Sequence, residues 1–268
     1  MDRELLVLDI DGTVTDSRKK VLPETRKAVL EVQKKGVRVV LASGRPPEGV
    51  FPVAHELGLD RRENYILSFN GGRILNVQTG ECVFEKCLPL HIPGKLWEDA
   101  QENHVGIAAY TPGIIVAGTE PDQYMELESR ITGMRLEVSE NFKQHMKTPV
   151  NECLITGDPD LLEIIEPALF HKYFHEAQVF HSEPFYLEVI PKNVDKAYGL
   201  KYLLRILGIP PERMVCCGDS FNDIRMLQYA GVGVAMANAR DEIKAVANYV
   251  TVHDNDHDGI AEVIERFF

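Results

Sequence analysis

Two aspartates, Asp9 and Asp11, follow a short apolar run near the start of the chain. Gly12 comes next and allows the backbone to turn, so Asp9 can end a strand while Asp11 approaches the same point from the loop. Carboxylates arranged in this way can act as a nucleophile, transfer a proton or bind a hard cation. The same pattern is common in turns that lead into helices, so the motif alone leaves both interpretations open.

A second group of oxygen-bearing side chains, Asp219, Asn222 and Asp223, follows another apolar run far along the chain. Such donors suit a hard cation such as magnesium, which binds through one or two carboxylates and several waters. Asp223 lies four residues after Asp219 and could hold the turn in place from behind the ion. The same run would also be an ordinary start of a helix.

Ser43 and Gly44 stand between a predicted strand and two consecutive prolines. A small hydroxyl followed by glycine exposes an O–H and backbone N–H groups, which can hold a phosphate without steric hindrance. Ser43 could also be the N-cap of the helix that starts at the prolines, and the two roles are compatible. Asn70, which precedes two glycines, favours a turn, with a polar contact in the site as the alternative.

Lys196 is in the first turn of a predicted helix. The helix macrodipole disfavours a lysine there, which indicates a purpose other than helix stability. A solvated surface lysine is the alternative interpretation.

These four groups complement one another if the ligand is a phosphate monoester. A carboxylate that attacks such a dianion is repelled by roughly 4 kcal/mol per pair of unit charges at about 4 Å and an effective dielectric constant near 20. A divalent ion held by Asp9 and Asp219, together with the ammonium of Lys196, would supply about three positive charges against that repulsion. The leaving group needs a proton and the later water needs a base, and Asp11 has the position for both.

The strands and helices around these groups must bring them together. The first and last thirds of the chain alternate apolar strands with helices, which predicts right-handed βαβ units and a doubly wound parallel sheet. In such a sheet the ligand site lies beyond the carboxyl ends of the strands. The predicted strands are 5–9, 37–42, 65–69, 213–217, 232–235 and 249–252. The predicted helices are 23–35, 47–57, 195–207, 222–230, 241–247 and 259–267.

The middle of the chain has a different pattern, because its strands are paired by turns and its helices come singly. Pro112 and Gly113 form a good hairpin turn between two apolar runs. Pro167 should kink or break the third helix of this region. The predicted strands are 105–110, 114–117, 153–156 and 185–190, and the predicted helices are 93–103, 121–132 and 159–173.

The length of 268 residues, 44% of them hydrophobic, is enough for a core domain that carries a smaller insert. We therefore predict an α/β fold in which residues 1–83 and 187–268 form a Rossmann-like core. Residues 84–186 are expected to form an inserted α+β domain with its own hydrophobic core.

The composition excludes several classes of partner. The chain has 29 Lys and Arg against 41 Asp and Glu, a formal charge of -12, which would repel a nucleic-acid backbone. No apolar run approaches the ~20 residues that span a bilayer, and the N-terminus enters a predicted strand with no room for a signal peptide. We expect a soluble, cytoplasmic protein that binds neither nucleic acid nor membranes.

With its motifs in this order, the chain resembles the haloacid dehalogenase superfamily, in particular its Cof-type group with a large (type IIB) cap inserted after the third core strand. The resemblance covers essentially the whole chain. The motifs that carry it are Asp9-x-Asp11-Gly12-Thr13, Ser43-Gly44-Arg45, Lys196, and Gly218-Asp219-x-x-Asn222-Asp223.

This resemblance implies a role for each motif residue. Asp9 would be the nucleophile and become phosphorylated, and Asp11 would be the general acid and then the general base. Magnesium would be bound by the Asp9 side chain, the Asp11 backbone carbonyl and the Asp219 carboxylate. The residues expected to hold the phosphate are Ile10 through its backbone, Ser43, Gly44, Lys196 and Asn222, with Asp223 in support.

The implied activity is a magnesium-dependent phosphatase that hydrolyses small phosphomonoesters, with sugar phosphates as the leading class. A phosphomutase of the same superfamily and a non-catalytic sensor of phosphometabolites are the alternatives. The expected partner is a small phosphorylated metabolite, and the chain could be a monomer or a homodimer. In the cap, the side chains that could face the substrate are Tyr110, Arg130, Arg135 and Glu188.

Overall fold

The computed structural model of the protein describes residues 3–268, which form two compact units. The first unit contains the described residues up to Phe84 together with Asp195–Phe268, and the second is Glu85–Val194. The second boundary therefore lies later than the predicted 186. The reason is the strand Tyr186–Pro191, which pairs with strands of the second unit.

The first unit is built around an eight-stranded sheet. Its strands, numbered along the chain, are β1 (Leu5–Leu8), β2 (Arg38–Ala42), β3 (Tyr65–Ser68), β4 (Arg73–Asn76), β5 (Cys82–Glu85), β12 (Met214–Gly218), β13 (Val232–Ala235) and β14 (Tyr249–Val250). Its helices are α1 (Pro23–Lys34), α2 (Pro47–Glu56), α7 (Lys196–Leu207), α8 (Ile224–Tyr229), α9 (Asp241–Lys244) and α10 (Gly259–Phe267). The strand order is β14-β13-β12-β1-β2-β3-β4-β5. Neighbours are parallel from β14 to β3, and β4 is antiparallel to β3.

Apolar side chains alternate between the two faces of this sheet. Leu6 and Leu8 of β1 pack into a core that includes residues of α1, α2 and α10. Leu5 and Val7 pack into a second core that includes residues of α7, α8 and α9. Helices therefore cover both faces, and the predicted doubly wound α/β fold is confirmed.

The second unit contains a six-stranded sheet in the order β10-β11-β9-β6-β7-β8. Its strands are β6 (Gly106–Thr111), β7 (Ile114–Ala117), β8 (Arg135–Val138), β9 (Cys153–Thr156), β10 (Ala177–Glu183) and β11 (Tyr186–Pro191). Its helices are α3 (Ile92–Asn103), α4 (Gln123–Thr132), α5 (Phe142–His145) and α6 (Pro159–Tyr173).

The two faces of this second sheet have different surroundings. Ile107, Cys153 and Leu187 point into a hydrophobic core shared with α3, α5 and α6. Helix α4 lies against the other face, where the Tyr186 hydroxyl donates to the Tyr124 carbonyl at 2.8 Å. The inserted unit thus has its own core and an α+β organisation, as expected.

Pro167 does not break α6, so that part of the prediction was wrong. The helix continues from Pro159 to Tyr173. Pro167 is exposed, whereas Ile165 and Leu169 on either side of it are buried. Burial of these neighbours keeps the helix together, although the proline removes one backbone donor.

The longest helix of the described residues, α6, has 15 residues. This is shorter than the ~20 residues that a membrane-spanning helix requires. Within residues 3–268, no helix is long and apolar enough to cross a bilayer.

Candidate active site

The carboxyl ends of β1, β2 and β12 lie side by side at one edge of the first sheet. Leu8 in β1 is in register with Leu41 on one side and with Cys217 on the other. Because the three strands are parallel, the segments that follow them leave the sheet at the same edge. Asp9, the loop at Ser43, and Asp219 are therefore neighbours.

Lys196 lies between two of the predicted carboxylates. Its side chain is completely buried, and Nζ donates to Asp9 Oδ1 and to Asp223 Oδ1, each at 2.6 Å. Burial lowers the pKa of Lys196, but the charges of Asp223 and Asp9 raise it more, so its pKa lies above the ordinary value. The lysine is a fixed positive charge beside the candidate nucleophile and not a solvated surface residue.

Two glycines allow α7 to carry Lys196 to this position. A Cβ on Gly199 would lie 2.9 Å from the carbonyl oxygen of Gly71, and a Cβ on Gly71 would lie 2.3 Å from the carbonyl oxygen of Asp195. Gly71 also has a φ of +99°, which glycine adopts without strain. The first turn of α7 therefore packs directly on the backbone that follows β3.

Asp223 supports the site and is itself completely buried. One of its oxygens accepts from Lys196, and Oδ2 accepts from the backbone N–H groups of Asp219 and Ser220, both at 3.0 Å. A side chain on Gly218 would collide with it, because an added Cβ would lie 2.5 Å from Asp223 Cγ. Asp223 thus fixes both the lysine and the turn that carries Asp219.

Asp219 is held from the other side by the motif that follows β1. Thr13 Oγ1 donates to Asp219 Oδ1 at 2.7 Å. Gly12, with a φ of +82°, passes so close that a Cβ would lie 2.5 Å from Asp219 Oδ2. Gly12 and Thr13, which follow β1, therefore position the carboxylate of Asp219, which follows β12.

Three carboxylates converge at this point. Asp9, Asp219 and Asp223 each present an oxygen, and these oxygens lie within 4.8 Å of one another. Burial raises the pKa of Asp9 well above its usual range, and the charges of Asp223 and Asp219 add to this despite the opposing effect of Lys196. Burial likewise raises the pKa of Asp219 to about 6, against the Thr13 hydrogen bond that lowers it.

This donor set fits magnesium. Carboxylate oxygens are the ligands that hard divalent cations take, and a cation would offset the mutual repulsion that raises these two pKa values. Asp223 already accepts three hydrogen bonds. Asp9 and Asp219 are therefore the side chains that would hold the ion.

Asp11 is paired with two cations other than Lys196. Arg45 donates to both of its oxygens, through Nε at 2.8 Å and Nη2 at 2.6 Å, and Lys19 Nζ donates to Oδ1 at 2.8 Å. Partial burial raises the pKa of Asp11, but Arg45 and Lys19 outweigh it and hold the pKa below the usual value. In this arrangement Asp11 is an ionised carboxylate, the form that acts as a base.

Two asparagines form a polar contact near the second and fourth motifs. Asn222 Nδ2 donates to Asn70 Oδ1 at 3.1 Å. Asn70 has left-handed backbone angles, φ 51° and ψ 30°, and its amide would lie 3.1 Å from a Cβ on Gly44. The two interpretations of Asn70 are thus both valid, because it makes the turn and also contacts the site.

Ser43 and Ile10 belong to the tight backbone of the same edge. Ser43 is buried, and its Oγ accepts from the backbone N–H of Arg45 at 3.2 Å. The N-cap of α2 is Pro46, so Ser43 is not the N-cap of this helix. The carbonyl of Ile10 closes the turn after β1 and accepts from Thr15 Oγ1 at 2.9 Å.

Residues 6–264 match the family model of haloacid dehalogenase-like hydrolases. The chain belongs to this hydrolase family. A crystal structure of a haloacid dehalogenase-like hydrolase from Bacteroides thetaiotaomicron has a TM-score of 0.95 with 39% identity, and the alignment covers 100% of both chains.

Two curated relatives of this hydrolase are similar over the whole chain. A Streptococcus pyogenes protein is 30% identical over 270 residues, which cover 100% of this chain and 99% of the relative. The 5-amino-6-(5-phospho-D-ribitylamino)uracil phosphatase of Bacillus subtilis is 28% identical over 268 residues, or 100% of this chain and 96% of the relative. The predicted family and enzyme class are confirmed by these matches.

Three residues that contribute to the hydrolase's candidate site, Arg45, Thr13 and Lys19, were not predicted from the sequence. Arg45 was noted only as part of a motif, although a cation two residues after Ser43 at the carboxyl edge could have been assigned to Asp11. Thr13 was likewise noted without a role. Lys19 gives no signal in the sequence, because its contact with Asp11 depends on a left-handed backbone with φ 61°.

Proposed function

We propose that this hydrolase is a magnesium-dependent phosphatase that acts on small phosphomonoesters, chiefly sugar phosphates, through a phosphorylated Asp9. The observation that carries the proposal is the buried Lys196 between Asp9 and Asp223, with Asp219 close by. This arrangement concentrates positive charge beside a candidate nucleophile, which attack on a phosphate dianion requires.

In the proposed first step, a carboxylate oxygen of Asp9 attacks the phosphorus. An O–P bond forms to Asp9, the bond from phosphorus to the substrate oxygen breaks, and Asp11 gives its proton to the leaving alkoxide. In the second step a water oxygen attacks the phosphorus, Asp11 takes a proton from that water, and the O–P bond to Asp9 breaks. Inorganic phosphate is released and both aspartates return to their initial states.

The two steps need Asp11 in opposite protonation states. Its contacts with Arg45 and Lys19 favour the carboxylate, which suits the second step. The phosphate dianion of a substrate would compete for these same cations and so make protonation of Asp11 easier before the first step.

Magnesium would be held by the carboxylates of Asp9 and Asp219 and the backbone carbonyl of Asp11. When bound, it would neutralise charge on the phosphoryl oxygens and orient them towards Asp9. The other contacts with the substrate's phosphate group are assigned to Lys196, Ser43, Gly44, Asn222 and the backbone of Ile10.

Two observations support a small, sugar-like substrate. The insert Glu85–Val194 is a separate unit with its own core, and we assign it the role of a cap that restricts and selects substrates. The Bacillus subtilis relative is named for a substrate whose phosphate is on a ribityl chain. We therefore expect a phosphorylated metabolite with a hydroxylated carbon chain.

The test is phosphate release from a panel of sugar phosphates, nucleotides and phosphorylated cofactors, with magnesium and with chelator. We expect release from sugar phosphates that requires magnesium and is lost in Asp9→Asn. The control is Asp60→Asn, which removes a partly exposed aspartate of the same unit. No release from any compound, or release that survives Asp9→Asn, would refute the proposal.

A further inference from the structure

The turn after β13 carries an asparagine, Asn238, that the proposed chemistry does not use. Strand β13 is parallel to β12, with Ala235 in register with Gly218. The backbone N–H of Met236 donates to the Gly218 carbonyl at 3.1 Å. Asn238 therefore follows the strand edge at which Asp219 also lies.

Asn238 makes hydrogen bonds with the backbone of two distant segments. Its Nδ2 donates to the Gly12 carbonyl at 2.8 Å, and its Oδ1 accepts from the backbone N–H of Asn255 at 3.2 Å. The side chain is exposed, so water could satisfy both of its polar atoms. Two specific bonds to backbone groups of other loops indicate a positioning role.

The Gly12 carbonyl belongs to a peptide unit on which the candidate metal site depends. The same planar unit contains the N–H of Thr13, and Thr13 Oγ1 holds Asp219 Oδ1 at 2.7 Å. On its other side Gly12 is bonded to Asp11, whose carbonyl is assigned to magnesium. A rotation of the Gly12–Thr13 peptide would therefore disturb two of the proposed metal ligands.

This peptide needs a contact from outside its own loop to fix its orientation. Glycine restricts φ and ψ less than any other residue, and Gly12 has a φ of +82°. Within the loop, the N–H of Thr13 donates to the Ile10 carbonyl at 3.4 Å. The bond from Asn238 to the Gly12 carbonyl, at 2.8 Å, is shorter and comes from a strand of the sheet.

Asn255 extends the support to a second point of the same loop. Its Nδ2 donates to the Thr15 carbonyl at 2.9 Å, and its backbone N–H donates to Asn238. The two asparagines thus hold the loop after β1 at Gly12 and at Thr15. Because they also bond to each other, the two contacts reinforce one another.

We propose that Asn238 is a positioning residue for the magnesium ligands of the candidate site. By fixing the Gly12–Thr13 peptide it aligns the Asp11 carbonyl and, through Thr13, the Asp219 carboxylate. Outer contacts of this kind orient the groups that touch a metal and tune its affinity. The inference rests on the proposed function for the assignment of magnesium to these ligands.

The experiment measures magnesium binding to the full chain without substrate. The midpoint of thermal unfolding is recorded at increasing magnesium concentration, and its rise gives an apparent Kd. Asn238→Ala removes both hydrogen bonds, and Asn238→Leu removes them while keeping the size of the side chain. The control is Asn248→Ala, which removes an exposed asparagine whose Oδ1 accepts from the Gly233 N–H of β13 at 2.7 Å, away from the carboxyl end of that strand.

We expect the apparent Kd for magnesium to rise about tenfold in Asn238→Ala and in Asn238→Leu, as for the loss of other outer contacts of a metal site. Asn248→Ala should bind magnesium like the native protein, although its midpoint without magnesium falls by a similar amount. Native affinity in both Asn238 variants would overturn the inference. So would equal weakening in Asn248→Ala, or a native midpoint that does not respond to magnesium.

Phosphate release measured in parallel separates this inference from the proposed function. The magnesium concentration for half-maximal release should rise by the same factor in Asn238→Ala as the apparent Kd. A shift in magnesium affinity without hydrolysis by the native protein would support the role of Asn238 and count against the phosphatase. Hydrolysis with the same magnesium requirement in Asn238→Ala and the native protein would support the phosphatase and overturn the inference.

Discussion

Lys196 is the residue on which the chemistry of the candidate site depends. It is fully buried between the carboxyl groups of Asp9 and Asp223, where its positive charge offsets part of the cost of burying them. A buried ion pair of this kind adds little net stability compared with apolar residues. Its presence in the core therefore indicates a functional requirement.

We predict that Lys196→Met lowers phosphate release at least about 100-fold, because a fixed charge beside the reacting phosphate is lost. The variant should also be less stable by about 3–5 kcal/mol, since Asp9 and Asp223 remain buried without their cation. Enzyme assays and urea unfolding measure the two effects. Lys201→Met, on the exposed side of the same helix, should change neither, and a fully active Lys196→Met would contradict the assignment.

The sequence predicts which residue types gather at the candidate site, but not every contact between them. Asp9, Asp219 and Lys196 follow from motifs at strand ends, because parallel strands bring their carboxyl ends together. The pairing of Asp11 with Lys19 does not follow, since it requires a loop conformation that no periodicity encodes. A lysine in a loop has too many possible partners for its spacing alone to identify one.

Among the elements, α7 is held to the strand edge by two glycines rather than by large apolar side chains alone. An added Cβ on Gly199 would be 2.8 Å from Leu67 Cδ1 and 2.9 Å from the Gly71 oxygen. The position of the helix therefore sets the position of Lys196. A shift of a few tenths of an ångström would move the ammonium relative to Asp9.

Gly199→Ala should destabilise the protein by about 1–3 kcal/mol through overpacking, and this exceeds the roughly 1 kcal/mol gain in helix propensity. Activity should fall as well, because Lys196 is displaced. Gly94→Ala in α3 is the matched control, since its Cβ would meet only Lys143 Cγ at 3.7 Å. Denaturant unfolding compares them, and a stabilised, fully active Gly199→Ala would show that the close approach is unimportant.

The segment 253–259, which contains two histidines and three aspartates, supports the loop after β1. Asp256 Oδ1 accepts from the backbone N–H of Ser17 at 2.7 Å, and Asn255 Nδ2 donates to the Thr15 carbonyl at 2.9 Å. Glu262 of α10 holds the start of this segment by accepting from the N–H groups of Val252 and His253. The segment is a turn that supports the loop that carries Asp11.

Glu262→Gln should lower stability at neutral pH by about 2 kcal/mol, because several hydrogen bonds to a carboxylate are weakened. Burial raises the pKa of Glu262, but bonds from Tyr249, Val252 and His253 lower it more, from 4.5 to about 2. A depressed pKa gives stability that is present above pH 4.5 and is lost as the pH falls towards 2. Unfolding at several pH values should thus show a difference from the native protein that shrinks below pH 4.5. Exposed Glu265→Gln should show no difference, and a pH-independent deficit would contradict the explanation.

The elements with strong apolar periodicity were predicted well, and the short, half-exposed ones were not. Strands β7, β9 and β13 and helices α6 and α10 have the predicted bounds. The elements missed were β4, β5, β8, β10 and α5. Strands β5 and β8 contain no fully buried residue, so pairing with neighbours and not their own pattern makes them strands.

The whole molecule combines two units that bury separate hydrophobic cores. The location of the insert in the chain was predictable from the change in pattern, but its end was not. The sequence pattern of strand β11, apolar and alternating, is compatible with either unit. Only its pairing with β9 and β10 assigns it to the second unit. Long-range pairing of this kind cannot be derived from one strand.

We predict that residues 85–194 fold without the rest of the chain. Their core includes residues of three helices and five strands, for example Leu96, Ile155 and Leu169, and is large enough for an independent domain. The isolated fragment should show a cooperative thermal transition by circular dichroism and dispersed amide resonances. A fragment with Leu96→Asp should lose both, and an unfolded parent fragment would contradict the prediction.

The proposed mechanism can be tested by looking for the phosphate on Asp9. The native protein and Asp11→Asn are mixed with magnesium and a radiolabelled sugar phosphate, quenched in acid within milliseconds to seconds, and mapped by peptide mass spectrometry. We predict label on the peptide that contains Asp9, slower appearance and slower loss of that label in Asp11→Asn because the acid of the first step and the base of the second are both missing, and no label in Asp9→Asn. Turnover by the native protein with no labelled peptide at any time, or label on another residue, would rule out Asp9 as the nucleophile.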